Sequence, residues 1–591
     1  MKNSVWTVCN KKGDFSGTAK KYHISPMLAR LMVNRDICTE EQIGEYLDGD
    51  LSLLNDPHLL KDMDRAVPLL SETIRQGKKL CIIGDYDIDG VCSAYILKKG
   101  IKLCAEAVGT DQTDKILVRL PDRIRDGYGM NDAMVDEAET FGASLIITCD
   151  NGIAADSQIK RAKEKGLSVI VTDHHEVPFD LLGGEKRYRV PEADAVIDPK
   201  QADCPYPFKG ICGGVVAYKL ITCLFEEMGV SEDALKELLM FAAFSTVGDI
   251  MDLNGENRLI VKYGLKAMAT GENPGLNALI DATGLNKSRI TPYHIGFVLG
   301  PCINATGRLD LPDRALHLFE AEDEETAVRI AAELKEFNDS RKAMEQEELE
   351  KAFSLLETDT SYADETVLVV YLPDCHESLA GLIAGKLKER YNKPSLVVTK
   401  SAEGAKGSAR SIEAYDMFEE LSKVKELFTK FGGHKMAAGF SLPEEKVGEL
   451  RKRLNENSRL TRADLTAKIQ ADMQLHFNGI SLEFAKELER LEPYGNGNKR
   501  PLFVEDRLRI KRMEVRGKNK NVLSLAVAPE SAFQNGVLSD WSQLREAVIF
   551  GDAEAIREEI EGKELKLLFE ISVNEYRGSE SVQLTVLDYK Y

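Results

Sequence analysis

Through the first half of the chain, short apolar runs rich in Ile, Leu and Val stop abruptly, and what stops them is repeatedly aspartate. KKLCIIGDYDIDG (78–90) runs into Asp85, Asp87 and Asp89; ASLIITCDNGI (143–153) into Asp150; LSVIVTDHH (167–175) into Asp173, His174 and His175. Runs this short, unbroken by polar alternation, predict buried strands. Segments of helical character separate them: VCSAYILKKGIKL follows Gly90, and AADSQIKRAKEKG lies between Asp150 and the DHH run. Strand, helix and strand in succession make a parallel sheet, and DAVIDP (194–199) predicts one further strand. Ligands of open parallel sheets bind beyond the carboxyl ends of the strands. One crevice is therefore expected to gather all of these acids and imidazoles.

D-x-D-x-D-G at 85–90 also opens the calcium loop of an EF-hand, but that reading fails. The twelfth position is Ile96 instead of a bidentate glutamate, and a strand leads in where a helix should. A further acid comes from FAAFSTVGDIMDLNGENR (241–258), where Asp249 follows a strongly apolar stretch. A carboxylate placed there needs a cation or donors, because burying an unpaired charge is costly; Asp252 reads as a solvent-facing turn acid. Carboxylates outnumber imidazoles and no thiolate is suitably placed, which favours Mn²⁺ or Mg²⁺, two ions, over zinc. A carboxylate shared by two ions is the arrangement of two-metal phosphoryl chemistry.

Composition narrows the function classes. The chain has 591 residues, long enough for several domains, with 43% apolar and 29% charged residues. A net charge of −20 argues against a protein that coats DNA regardless of sequence. The first residues lack a signal-peptide layout, and no run reaches the length of a membrane helix; a cytoplasmic protein is expected. Eleven scattered cysteines without a CxxC pair argue for reduced thiols and against a zinc ribbon. No GxxxxGK[ST] occurs, so an ATP-driven motor is not indicated.

GDYDIDG, CDNG, TDHH and TVGDIMDL, in this order, resemble the four acidic motifs of the DHH phosphoesterase superfamily. PDRIRDGYGM (121–130), PCINATGRL (301–309), FGGHKMAAGF (431–440) and EPYGNGNKRPLF (492–503) extend the likeness over nearly the whole chain to the RecJ family of single-strand-specific exonucleases. The resemblance implies metal ligation by Asp85, Asp87, Asp89, Asp150, His174 and Asp249, with Asp150 as the bridging ligand. It gives His175 a phosphate contact or a proton transfer, and Arg308 neutralisation of the scissile phosphate, a task suited to a bidentate guanidinium. Arg123 and Asn304 would help hold the strand. Ser408, Arg410 and Ser411 (GSARS), with Gly432, Gly433 and His434, match the substrate-binding segments of a DHH-associated domain. At 375–384, CHESLAGLIA departs from the Trp-His-then-glycine usual there: His376 is kept, while Cys375 and Ser378 differ.

The fold class expected is a multidomain α/β protein: a helical segment at 1–50, a parallel-sheet DHH domain at 51–320, a connecting helix at 321–358, an α/β DHH-associated domain at 359–461 and an OB-fold barrel at 462–591. The helix rests on a stretch without Gly or Pro in which Ala327, Ile330, Ala331, Leu334 and Phe337 recur at helical spacing. The barrel rests on alternating short strands and turns. Its basic hairpin RLRIKRMEVRGKNKN carries Arg512, Arg516 and Lys518, suited to tracking a single-stranded backbone.

The expected function is metal-dependent removal of mononucleotides from single-stranded DNA, 5′ to 3′, in repair and recombination. Single-strand-binding protein and a repair helicase are expected partners of a monomer. Two rivals are a DHH phosphodiesterase of very short RNAs or cyclic dinucleotides, which would need no barrel, and a catalytically silent DNA-binding scaffold, which would be expected to have lost motif acids.

Overall fold

The structure, a computed structural model, describes residues 4–122, 126–182, 185–309, 313–576 and 578–591, apart from the side chains at 181, 182, 308, 309 and 576. The chain divides into two compact units. One comprises Ile37–Asp339 with Leu488–Arg500, the other Met1–Asp36, Ser340–Glu487 and Pro501–Tyr591.

The first unit is built on a five-stranded, wholly parallel sheet of Leu80–Ile83, Ile116–Arg119, Leu145–Cys149, Ser168–Thr172 and Ala195–Ile197. Numbered along the chain, the strands lie in the order 2-1-3-4-5. Leu80, Ile82, Leu145, Ile147 and Ile170 share one core cluster with the helices Ile88–Ala107, Gly213–Met228 and Leu235–Gly248. Their neighbours Cys81, Ile83, Ile146, Val169 and Val171 share another with residues of Asp132–Phe141 and Asp156–Glu164. Side chains alternate across a strand, so each run must be apolar throughout to fill both layers. That is why the runs show no polar alternation in the sequence. The order 2-1-3-4-5 reverses direction between Leu80–Ile83 and Leu145–Cys149, and the crevice at that switch point is where a doubly wound sheet binds its ligand.

The second unit contains a five-stranded sheet in the order Lys430–His434, Ala437–Leu442, Gly404–Arg410, Ser395–Ser401, Leu368–Tyr371. It also contains a barrel of Phe503–Arg516, Val522–Pro529, Arg545–Phe550, Ser579–Lys590 and Leu565–Tyr576, closed where the first of these strands pairs back with the last. This is the OB-type architecture expected. Val5–Val8, which no local pattern marks as a strand, pairs in parallel with Lys468–Ala471. The long helix spans Glu324–Thr358, 35 residues. All eleven cysteines are free thiols, and no helix among the described residues is long and apolar enough to cross a membrane.

Candidate metal centre

Each acid owes its position to the element before or after it. Asp85 stands two residues beyond Leu80–Ile83, and Asp87 is the N-cap of Ile88–Ala107, its carboxylate accepting from the N–H groups of Asp89 and Gly90. Asp150 follows Leu145–Cys149 directly with φ 59°, the left-handed conformation that aspartate tolerates better than most residues. Asp173, His174 and His175 follow Ser168–Thr172, and Asp249 caps the carboxyl end of Leu235–Gly248.

These residues converge on the switch point as three overlapping sets. Asp85, Asp87 and Asp150 form one, Asp89, His174 and Asp249 a second, and Asp150, His174 and His175 a third; within each set one ligating atom per residue lies within 4.8 Å of the others. His174 Nε2 is 3.0 Å from Asp150 Oδ1, 3.5 Å from Asp89 Oδ2 and 3.7 Å from Asp249 Oδ2. Asp150 belongs to the first set, and its Oδ1 lies 3.0 Å from His174 of the second, so its carboxylate stands between the two groups of candidate ligands.

The electrostatics call for positive charge. Burial, then the neighbouring Asp87, pushes Asp85 up to about 8. Burial, then Asp89 and Asp87, pushes Asp249 to about 8 as well and holds Asp150 well above the usual carboxylate range. Asp85 Oδ2 is buried without a hydrogen-bond partner, although Oδ1 accepts from the N–H of Gly129 at 3.2 Å. An orphaned carboxylate oxygen amid like charges fits a cation, and the oxygen-rich donor set fits Mn²⁺ or Mg²⁺.

The two histidines differ. Burial keeps His174 below its ordinary value, which favours the neutral imidazole a ligand must be. Burial is the largest influence on His175 and opposes its charge, but the hydrogen bond to Asp173 and the charges of Asp173, Asp249 and Asp89 together outweigh it and raise the group to about 9. His175 Nδ1 lies 2.8 Å from Asp173 Oδ1, and Tyr128 Oη lies 3.0 Å from His175 Nε2 while donating to the Asp150 carbonyl. Asp173 is buried, yet its bonds from His175 and from the Ile153 N–H hold it below its ordinary value. His175 is therefore a charged imidazolium braced from behind.

Several contributors carry no motif signal of their own. Asp89 is held in place by three donors: the N–H groups of Gly213 and Gly214 donate to it at 2.8 and 2.7 Å, and Ser245 Oγ donates as well. Those two glycines open the helix Gly213–Met228, whose positive end faces the carboxylate. A Cβ at Gly213 would sit 2.7 Å from Asp150 Cβ, so only glycine allows this approach. A glycine pair opening an apolar helix is the one signal of it in the sequence. Asp198, ending the strand Ala195–Ile197, is also buried, with Oδ2 unpartnered and burial followed by Asp173 raising it to about 8.

Asn304, on Gly300–Leu309, accepts from the Ile88 N–H at 2.9 Å and so braces the loop between Asp87 and Asp89. Arg308 lies on the same helix; its side chain, and all of Arg123, fall outside the described residues. In the other unit, Ser408 and Arg410 on one strand and Gly432, Gly433 and His434 on another flank Ala437–Leu442, with Ser408 and Gly432 both opposite Gly439. Ser411 is buried and its Oγ donates to the Tyr415 carbonyl, which ties up the hydroxyl in the local turn. Arg512 pairs with Glu546 at 2.8 Å and Arg516 with Glu514 at 2.6 Å, while Lys518 has no partner among the described residues.

Three family models match the chain: the DHH family N-terminal domain at 79–245, the DHHA1 domain at 364–459 and the RecJ OB domain at 471–588. The single-stranded-DNA-specific exonuclease RecJ of Bacillus subtilis is 33% identical over 96% of this chain and 68% of that protein. The Salmonella typhimurium protein of the same name is 31% identical over 96% of both. Among solved structures, RecJ from Thermus thermophilus in complex with Mn²⁺ matches with a TM-score of 0.79 at 25% identity, covering 99% of this chain and 79% of that one.

Proposed function

Because the chain belongs to the RecJ family of single-stranded-DNA-specific exonucleases, we propose that it hydrolyses single-stranded DNA from the 5′ end, releasing 5′-mononucleotides with the help of two Mn²⁺ or Mg²⁺ ions. The observation that carries the reading is the sharing of Asp150 and His174 between ligand sets at the switch point of the sheet. Asp85 and Asp87 would hold one cation and Asp89, His174 and Asp249 the other, with Asp150 shared between them. Bound there, the pair supplies an activated water and charge neutralisation at the leaving oxygen. His175, charged and braced through Nδ1 by Asp173, would exchange its Nε2–H contact with Tyr128 Oη for one to the phosphate or to the departing 3′ oxygen. Arg308, Arg123 and Asn304 orient the scissile region. Ser408, Arg410, Gly432, Gly433 and His434 hold the strand's backbone, with Ser411 fixing the turn beside Arg410, and Arg512, Arg516 and Lys518 track it further along. The protein would act as a cytoplasmic monomer in repair and recombination, alongside single-strand-binding protein and a repair helicase.

Digestion of 5′- and 3′-labelled single- and double-stranded DNA tests this. With Mn²⁺ or Mg²⁺, a 5′ label should appear at once in mononucleotide from single strands only, and chelator should stop it. Early release of a 3′ label, equal attack on duplex, or activity in chelator would overturn it.

A further inference from the structure

Tyr293 and Phe297 stand on the surface of the unit with the wholly parallel sheet, 64% and 66% exposed, with their rings stacked at 5.0 Å between centroids and 27° between planes. Aromatic side chains are normally drawn inward by the area they bury, and these two cover little but each other. The backbone beneath them is also unusual. Pro292–His294 leads into the π-helical segment Ile295–Leu299, which continues as the α-helix Gly300–Leu309. π-helical turns are rare and recur at functional sites. Ile295 and Leu299 are fully buried, so the segment is anchored and the two rings are held outward.

The same rod reaches the metal centre. A Cβ at Gly296 would lie 3.9 Å from Val247 Cγ1, two residues before Asp249. A Cβ at Gly300 would lie 3.1 Å from Ile88 Cδ1, between Asp87 and Asp89, and Asn304 accepts from the Ile88 N–H. Phe297 and Asn304 are seven residues apart, roughly 10 Å along a helix. Beside Asp249, Ile250 is 71% exposed with φ 57°, a left-handed conformation costly for a β-branched residue. An apolar, aromatic surface thus continues outward from the acids on elements packed against them.

We infer that Tyr293 and Phe297 form a platform on which unpaired bases of the substrate strand stack as its phosphates pass the metal centre. Every base presents a π-face, so such a platform accepts any sequence and rejects bases kept in a duplex. That matches an enzyme working along a strand of arbitrary composition. The inference rests on the nuclease reading, and its test separates the two.

Steady-state hydrolysis with Mn²⁺ is compared on an oligothymidylate and on the same sugar–phosphate chain carrying abasic residues. The wild-type protein should show a lower KM for the base-bearing strand. In Tyr293→Leu/Phe297→Leu, which keeps apolar bulk, that KM should rise roughly tenfold or more, kcat should move less, and the preference for bases should vanish. Tyr293→Phe/Phe297→Trp should restore it. A double-leucine variant that keeps both its KM and its preference overturns the platform while leaving the nuclease reading intact. A variant that loses turnover on both substrates alike points to a structural role and overturns it as well. If the wild-type protein cleaves neither substrate, the nuclease reading fails and the platform falls with it.

Discussion

Two buried charged clusters lie in the unit with the wholly parallel sheet, and they are resolved in opposite ways. In one, Lys219 Nζ and Glu256 Oε2 meet at 3.0 Å with both side chains almost fully buried. Lys219 also donates to the Asn55 carbonyl, and Tyr206 Oη and the Asn55 N–H donate to Glu256. One positive charge faces one negative charge, with donors and acceptors supplied around them. In the other, Asp85, Asp87, Asp89, Asp150, Asp173 and Asp249 are gathered around His174 and His175, and the hydrogen bond and charge of Asp173, with Asp249 and Asp89, raise His175. A fold can hold buried charge by pairing it. Where it collects one sign well in excess, the counterweight is expected from outside, and Mn²⁺ or Mg²⁺ would supply it.

Asp150→Asn breaks the second cluster most directly. Asparagine keeps the left-handed backbone at φ 59° that alanine would strain, and removes one shared negative charge. Hydrolysis should fall by more than the roughly 100-fold that outer-shell partners of a metal cost. The melting temperature of the metal-free protein should rise, because repulsion among the acids is relieved. Near-normal turnover in the folded variant would sink the shared-ligand assignment.

Lys219→Met breaks the self-neutralised cluster instead. It leaves Glu256 buried without its cation, for an expected loss of about 3–5 kcal/mol in denaturant unfolding, with Mn²⁺ affinity unchanged by calorimetry. A loss under about 1 kcal/mol would mean the pair behaves like an exposed one. Adding Glu256→Gln should recover part of the loss, since the orphaned charge is then gone.

A pH titration sharpens the contrast with a smaller effect. Asp85 and Asp249 sit at about 8 when folded but near the ordinary carboxylate value of about 4 when unfolded. Stability that depends on their protonated forms is full below the unfolded value and is lost as pH rises toward 8. The metal-free protein should therefore lose stability from about pH 5 to pH 8. Mn²⁺ at a fixed concentration, a hundredfold above its Kd at pH 8, should return about 2.7 kcal/mol there and less at pH 6, where protons compete for the acids. A metal-free protein whose stability rises through that window would show that the acids are compensated within the fold.

What the sequence displays and what it hides follow from range. Buried strands ending in acid are local patterns, so the parallel sheet and the ligand candidates Asp85, Asp87, Asp89, Asp150, His174 and Asp249 are legible along the chain. The support of Asp89 by Gly213, Gly214 and Ser245 is not, because it joins residues more than a hundred positions apart. Nor is the pairing of Val5–Val8 with Lys468–Ala471, where a short polar-flanked strand has meaning only beside its distant partner. Tyr293 and Phe297 carry no local signal either, since their exposure is set by what the rest of the fold leaves uncovered.

The smallest effect belongs to the basic hairpin on the barrel, a third charged region that sharpens the comparison from the surface. Its strands, Phe503–Arg516 and Val522–Pro529, are antiparallel as the pattern predicts. Most of its charge is already answered: Arg509 by Glu530, Arg512 by Glu546, Arg516 by Glu514 and Lys520 by Glu554, at 3.1, 2.8, 2.6 and 2.9 Å. Exposed pairs are weak and can be exchanged for a phosphate, but each exchange leaves a glutamate beside the strand that repels it. Three independent phosphate contacts would change the log–log salt slope of single-strand binding by about 2, at roughly 0.7 each. For Arg512→Ala/Arg516→Ala/Lys518→Ala the expected change is nearer 1, and Lys518→Ala alone should give most of it, because Lys518 is the cation in this set without a partner among the described residues. Equal, additive contributions from all three substitutions would show that the glutamates let their arginines go, and the hairpin would then belong with the acid crevice as charge kept for the substrate.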